Sequence, residues 1–286
     1  MGYVLQTGFR ILNRLIRKPE NPGGRESLEA YAEIEFQKSH NLIQRFAPYN
    51  QVKDKCIVDV GCGPGGQALY YASQGASLVV GFDIDSHNIR TARCIASSKD
   101  IQNAEFLVGN ACDIPCPSDS VDMVIMNSVI EHLRNPYLVL TETFRVLKEG
   151  GILNLVFPLY HSPYGAHLYD YIHLPWAHLI FPEYVLLKAW RDGYKIDYEK
   201  GTNRVFGGIK HVSSASTLDD LFYVSRLSLD EWEKLICSTP FRVLKRSYRK
   251  MRYWGRLTRI FPALSKYVTY SALFVLQKDI ALARPR

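Results

Sequence analysis

From Lys55 onward, short apolar runs alternate with amphipathic stretches. The runs are CIVDV (56–60), LVVGF (78–82), AEFLVG (104–109), DMVIM (122–126) and ILNLVF (152–157). Between them, residues 66–74, 86–97 and 136–148 show helical periodicity. Near-continuous apolar strands separated by helices predict a parallel sheet covered on both faces, an α/β doubly wound arrangement. FRVLKRSY (241–248) and YSALFVLQ (270–277) read as two late strands.

Outside this core the pattern changes. Residues 3–18 predict an amphipathic helix, with Leu5, Phe9, Leu12 and Ile16 on one face and Arg10, Arg14 and Arg17 on the other. ENPGGRES (20–27) is a break, and residues 27–47 are helical again. After Pro158 the rhythm fails. Residues 159–227 are aromatic and rich in Gly and Pro, and read as a cap inserted after the fifth strand. SLDE (228–231) is a capping-box signature that opens a helix to about Cys237. The expected organisation is one domain over 1–286. Its parts are N-terminal helices (1–50), a ligand-binding core (51–158), the cap (159–227) and a closing helix with strands (228–286).

Composition narrows the class. With 286 residues, 47% of them hydrophobic and 22% charged, the chain can bury a full core; disordered and low-complexity readings are excluded. Lys+Arg exceed Asp+Glu by 35 to 28, a net +7 that permits an anionic partner without demanding one. Six cysteines form no CxxC pair, which favours a reducing, cytoplasmic setting. No apolar run reaches the ~18 residues needed to span a bilayer. Arg10 and Arg14 interrupt any signal-peptide pattern, and Gln6 breaks the myristoylation pattern.

The chemistry centres on VDVGCGPGG (58–66), which follows the first strand and opens a helix. Gly61, Gly63 and Gly66 satisfy G-x-G-x-x-G, a pattern that also suits a dinucleotide. Two details favour a cationic ligand. Asp59 lies within the strand just before the glycines, and Pro64 removes an N–H from the turn that would otherwise cradle phosphates. Asp83, in GFDID (81–85), ends the second strand, where a carboxylate can accept both hydroxyls of a ribose. The third strand ends in GNACDIP (109–115), presenting Asn110, the Ala111 amide and Asp113. The fourth ends in NSVIEHL (127–133). All four segments fall at the carboxyl ends of strands, where open α/β sheets bind ligands.

These motifs, with RVLKEGGIL (145–153), resemble those of class I S-adenosylmethionine (SAM)-dependent methyltransferases of the small-molecule type. The resemblance covers about residues 50–160 and implies a seven-stranded, mostly parallel Rossmann-like sheet with SAM as cofactor. Asp59, Gly61, Cys62 and Gly63 would then lie at its methionine portion and Asp83, with Ile84, at the ribose. Asn110 and Ala111 would flank the adenine, and Asn127 the sulfonium. Asn110 departs from the commoner Asp, yet can accept a bond through its carbonyl. Cys62 reads as a space-filler, Gly65 and Gly66 as packing glycines, Asp85 and Asp113 as turn residues.

Methyl transfer from a sulfonium needs alignment in a dry site, and a base when the acceptor is a hydroxyl. The cap segment 158–184 carries His161, His167 and His173 six residues apart, with Asp170 between the last two. His161 and His167 are the leading base candidates, and His132 at the fourth strand's end is another. The histidine spacing matches no standard ligand set, so no metal is expected. The expected acceptor is small, partly apolar or lipid- or sugar-linked, methylated at oxygen, with carbon and nitrogen open. The N-terminal helix and the basic run 246–260 are candidate peripheral membrane contacts. Alternatives are a nucleic-acid methyltransferase, a non-catalytic scaffold of the same fold and an NAD-type oxidoreductase. The fourth strand lacks the base-clamping Asp/Asn-Pro-Pro element of the first, so no nucleic acid is expected. Oligomeric state stays open.

Overall fold

In the computed structural model, residues 2–16, 27–199, 215–221, 223–251 and 258–283 are described. They form a seven-stranded sheet in the order β3-β2-β1-β4-β5-β7-β6. The strands are β1 (Cys56–Val60), β2 (Leu78–Asp83), β3 (Ala104–Val108), β4 (Val121–Asn127), β5 (Leu147–Pro158), β6 (Phe241–Lys250) and β7 (Thr269–Lys278). β1 to β5 pair in parallel; β7 runs antiparallel to β5 and to β6. The expected doubly wound, mostly parallel sheet is present, and the apolar runs place its strands to within a few residues. β5 begins earlier than the 152–157 run, because Leu147 already pairs with Val121 ahead of a register shift.

Side-chain alternation splits the strands between two cores. Val58, Val60, Val80, Phe82, Val124 and Met126 face one way. They pack with α5 (Pro136–Val146) and with α9 (Leu229–Cys237) through Trp232 and Ile236. Ile57, Val79, Met123 and Ile125 face α2 (Leu28–Gln44), α3 (Gly66–Ser73) and α4 (Ser86–Ser98). Both faces are therefore dry, which is why these strands read as unbroken apolar runs. Asp59 shares the second face with Ile57. Helix starts follow local chemistry: Ser27, Asp85 and Asn135 cap α2, α4 and α5 through side-chain oxygens. Ser228 and Glu231 form the expected capping box at α9.

The cap is more ordered than its sequence suggests. It holds α6 (Ala177–Ile180), a 17-residue α7 (Glu183–Glu199) and α8 (Leu218–Leu221) around its own core of Ile172, Leu186, Leu187 and Trp190. Periodicity failed on α7 because aromatics surround a helical glycine. A Cβ on Gly193 would lie 2.5 Å from the Tyr171 ring, so the glycine admits Tyr171, which packs edge-on to Trp190. Two short helices, α10 (Ser265–Val268) and α11 (Ile280–Ala283), flank β7.

α1 (Gly2–Leu15) docks on the cap by one residue of its apolar face. Phe9 is buried against Phe181, while Leu5 and Leu12 are exposed. Asn13 anchors it by donating to the Tyr171 carbonyl (2.8 Å) and accepting from the His173 N–H (2.6 Å). Arg10, expected in solvent, pairs with Asp192 of α7. Arg17, most of the 20–27 break, and Tyr253 and Trp254 of the basic run lie outside the described residues. Among the described residues, no helix is long and apolar enough to cross a membrane, and all six cysteines are free thiols.

Candidate functional site

The glycine turn between β1 and α3 is held by three close approaches. Gly61 takes φ +65°, and a Cβ there would strike Val129 at 2.6 Å, so the β4 tip rests directly on the turn. Gly65 and Gly66 pack against Phe106 and the Ala32 carbonyl, as packing glycines should. Gly63 differs: it too has positive φ, but nothing lies within 4 Å of where its Cβ would be. That face of the turn is open to a ligand.

Three of the turn's N–H groups are engaged. Cys62 N–H donates to the Phe82 carbonyl (3.0 Å), Gly65 N–H to the Cys62 carbonyl (3.0 Å), and Gly63 N–H to Asp83 Oδ2 (3.0 Å); Pro64 has none. A phosphate cradle needs such donors aimed outward. This turn presents acid instead. Asp59 is 2% exposed, and its Oδ2 has no hydrogen-bond partner. Burial, then the nearby Asp83 and Glu35 carboxylates, push its pKa up to about 8, against a bond from the Ala68 backbone. Burial, then the Asp59 and Asp83 carboxylates, raise the Cys62 thiol well above its ordinary range.

The neighbouring strand tips complete the crevice. Asp83 Oδ1 accepts from the Asp85 N–H (2.8 Å), which leaves each carboxylate oxygen with capacity to spare. Ile84 beside it is 78% exposed, unusual for an isoleucine in the ordered core. Asn110 is exposed and its Oδ1 accepts from the Cys112 N–H (2.9 Å), closing a turn that also binds the Asp113 N–H to the Asn110 carbonyl. The side-chain carbonyl expected to face a ligand is thus engaged within the loop, and the amide NH2 is the group left outward. Ala111 sits beside it, partly packed on the core. Asn127, at the end of β4, donates to Gln67 Oε1 of α3 (3.1 Å), while Gln67 Nε2 is buried without a partner. Gln67 and Glu35 were not singled out in the sequence, because a helical Gln or Glu carries no signal of its own.

The histidines do not group by their six-residue spacing. His132 and His167 meet at the β4 tip with ring centroids 4.9 Å apart. His161 lies beyond β5, its ring edge-on to Tyr160 and Tyr267, with Nδ1 buried and without a partner. Burial and Lys266 lower its pKa, against the pull of Glu231, so it is neutral at pH 7. The His173 N–H serves Asn13, and His178 Nε2 bonds the Tyr160 carbonyl at 2.7 Å.

With this geometry in view, residues 58–155 match the family described as a methyltransferase domain. This stretch, about a third of the chain, is similar to a methyltransferase domain. The chain is 30% identical over 102 residues to ajmaline N-methyltransferase of Rauvolfia serpentina, covering 35% of each chain. It is 32% identical over 117 residues to a probable S-adenosylmethionine-dependent methyltransferase of Mycolicibacterium smegmatis, covering 41% of this chain and 42% of that one. The chain therefore spans well under half the length of these relatives. Among solved structures, a SAM-dependent methyltransferase of Methanosarcina mazei shares the fold at TM-score 0.51 and 22% identity, over 83% of this chain and 96% of that one. A geranyl diphosphate methyltransferase solved with GPP and sinefungin aligns at TM-score 0.54 and 14% identity, over 85% and 78%. The (4+2)-cyclase SpnF aligns at TM-score 0.53 and 16% identity, over 97% and 94%.

The buried acid beneath the glycine turn predicts a pH dependence. The Asp59 pKa is raised from an ordinary 3.8 to about 8, so the folded state holds a proton there that the unfolded state releases. This stability is fully present below about pH 4 and is lost as pH rises through about 8. We expect urea unfolding of the ligand-free protein to show a loss on the order of 4 kcal/mol between pH 5 and 8 that Asp59→Asn removes. Parallel pH profiles for the two proteins would contradict the assignment.

Proposed function

We propose that the protein is a SAM-dependent methyltransferase acting at oxygen on a small, partly apolar acceptor. One observation carries the cofactor reading: a fully buried Asp59 oxygen without a partner, under an acid-lined turn whose Cys62, Gly63 and Gly65 N–H groups are engaged. A carboxylate is costly in such a place unless a cation meets it. SAM brings an ammonium and a sulfonium; a pyrophosphate would bring the wrong charge. The residues present fit SAM. Asp59, Gly61, Cys62 and the open face at Gly63 would hold its methionine portion, Asp83 the ribose, and the exposed Ile84 an apolar side of the nucleoside. Asn110, through its outward amide, and Ala111 would flank the adenine, and Asn127, held by Gln67, the sulfonium region.

Bound SAM supplies an electrophilic methyl group, so the protein's own task is to align an acceptor and keep water out. The cap, with its own apolar core and docked α1, supports an apolar enclosure over the strand tips. His161 follows β5 by three residues on that same edge. Its neutral ring, with a buried unpartnered Nδ1, suits removal of a proton from a hydroxyl. The oxygen reading rests on this residue, because a neutral amine attacks without a base. SpnF carries the fold under the name of a cyclase, so the fold by itself does not decide the reaction.

Calorimetry with SAM and NADH, followed by radiolabelled methyl transfer to phenols, amines, sugar and lipid acceptors and RNA, tests this reading. We expect SAM to bind, NADH not to bind, and a hydroxyl acceptor to be labelled. His161→Asn should lower kcat about 100-fold with SAM affinity unchanged. Absence of SAM binding would favour a scaffold. An amine acceptor with kcat indifferent to His161 would overturn the oxygen assignment.

A second reading concerns α1. Val4, Leu5, Ile11, Leu12 and Leu15 are all exposed, beside Arg10 and Arg14. Apolar residues flanked by arginine suit a peripheral contact with anionic lipid. Flotation with phosphatidylserine vesicles should carry the protein upward at low salt, and Leu5→Ser with Leu12→Ser should abolish it; sedimentation regardless of lipid would remove the membrane contact.

A further inference from the structure

The short 3-10 turn Ile130–His132, just past β4, buries a carboxylate that nothing in the site described above uses. Glu131 is 1% exposed, and both of its carboxylate oxygens lack hydrogen-bond partners. Its own backbone is well held, since the Glu131 carbonyl accepts from the Ser225 N–H at 2.6 Å. The side chain is therefore placed, not stray. Two doubly unsatisfied oxygens in a dry setting carry a heavy desolvation cost unless a cation or a proton joins them.

The neighbours say what fits. His132 Nδ1 lies 2.7 Å from the Tyr223 carbonyl. A carbonyl only accepts, so Nδ1 is assigned the proton and the neutral ring turns its Nε2 lone pair inward. That Nε2 stands 3.8 Å from Glu131 Oε1, too far for a hydrogen bond. An imidazole lone pair and a carboxylate oxygen thus face each other across a gap. His167 approaches from the cap, where its backbone is held at φ +55°, a conformation rare for a histidine. One ligand atom each from Glu131, His132 and His167 lies within 4.8 Å of the others. Some point is then within about 2.8 Å (4.8 Å divided by √3) of all three. Metal–nitrogen and metal–oxygen bonds of about 2.0–2.2 Å need each side chain to move inward by only about 0.6–0.8 Å.

We propose that Glu131, His132 and His167 form a binding site for a divalent first-row metal ion, bridging the β4 tip and the cap. Two imidazoles and one carboxylate are the ligand set such ions favour, with positions left open for water or an oxygen-bearing substrate. The Tyr223 carbonyl acts as the outer partner that fixes the His132 tautomer, as in metal-ligating histidines generally. The sequence expectation of no metal came from the spacing of the cap histidines alone. The site instead joins an adjacent Glu-His pair to a residue distant in sequence. It does not depend on the methyl-transfer reading, because the ion binds without SAM or acceptor.

The test titrates chelator-treated protein with MnCl2, counting free Mn2+ by electron paramagnetic resonance, and repeats the titration with ZnCl2 by calorimetry. Mn2+ is chosen because thiols bind it poorly, so the six cysteines do not compete. We expect about one equivalent bound and a higher melting temperature with metal. Glu131→Gln and His167→Ala should each weaken binding about tenfold or more. Their unliganded melts and SAM titrations report whether they are folded, and His167→Ala changes only the cap side. Wild-type protein that binds neither ion would overturn the proposal and leave a proton between Glu131 and His132. So would folded variants of both residues that bind as tightly as wild type.

Discussion

A carboxylate placed inside a sheet has to be answered by something. Asp59 occupies the middle of three parallel strands, opposite Gly81 on β2 and Ile125 on β4. Its surroundings are dry, and its nearest charges, Asp83 and Glu35, have its own sign. Much of the local architecture accommodates this residue. Gly81 opposite it has no room for a Cβ, which would crowd Phe106 and Cys62. The turn above it commits its amides to Phe82, Asp83 and Cys62, so they do not neutralise it.

Under the proposed function this arrangement exchanges stability for affinity: the ligand-free protein holds an acid in a place that disfavours its charge, and a bound cationic cofactor would relieve that cost. The same reasoning extends to Glu131 on the adjacent strand tip, where burial again raises a carboxyl to about 8. Two buried, under-satisfied carboxylates at neighbouring strand ends are not what core packing produces on its own. Both lie at the carboxyl edge of the sheet, where the fold presents its crevice.

Much of the sheet was legible because each strand is buried on both faces and so reads as an apolar run, and because Ser228 and Glu231 spell out a helix start. The glycine turn was legible for a different reason: Gly61, Gly63 and Gly65 hold positive φ, which few other residue types adopt; Asp83 was legible from its place at a strand tip beside that turn. What escaped was set by contacts distant in sequence. α7 carries Gly193 for the sake of Tyr171, which periodicity counts as a break. The histidine arrangement escaped likewise, since His167 meets His132 across 35 residues and no spacing rule connects them. Glu131 looked like an ordinary polar residue at a strand end until its burial was known. α1 was legible in outline: its apolar stripe forms one helix, of which Phe9 alone is fully buried while Leu5 and Leu12 face outward.

The central claim is that the Asp59 carboxyl gives up its proton to receive a cation. Titration calorimetry of SAM at pH 7 in two buffers of different ionisation enthalpy measures this directly. The account predicts release of close to one proton on binding, absent in Asp59→Asn, where affinity also falls. Binding with no proton release, or with the same release in the variant, would contradict it.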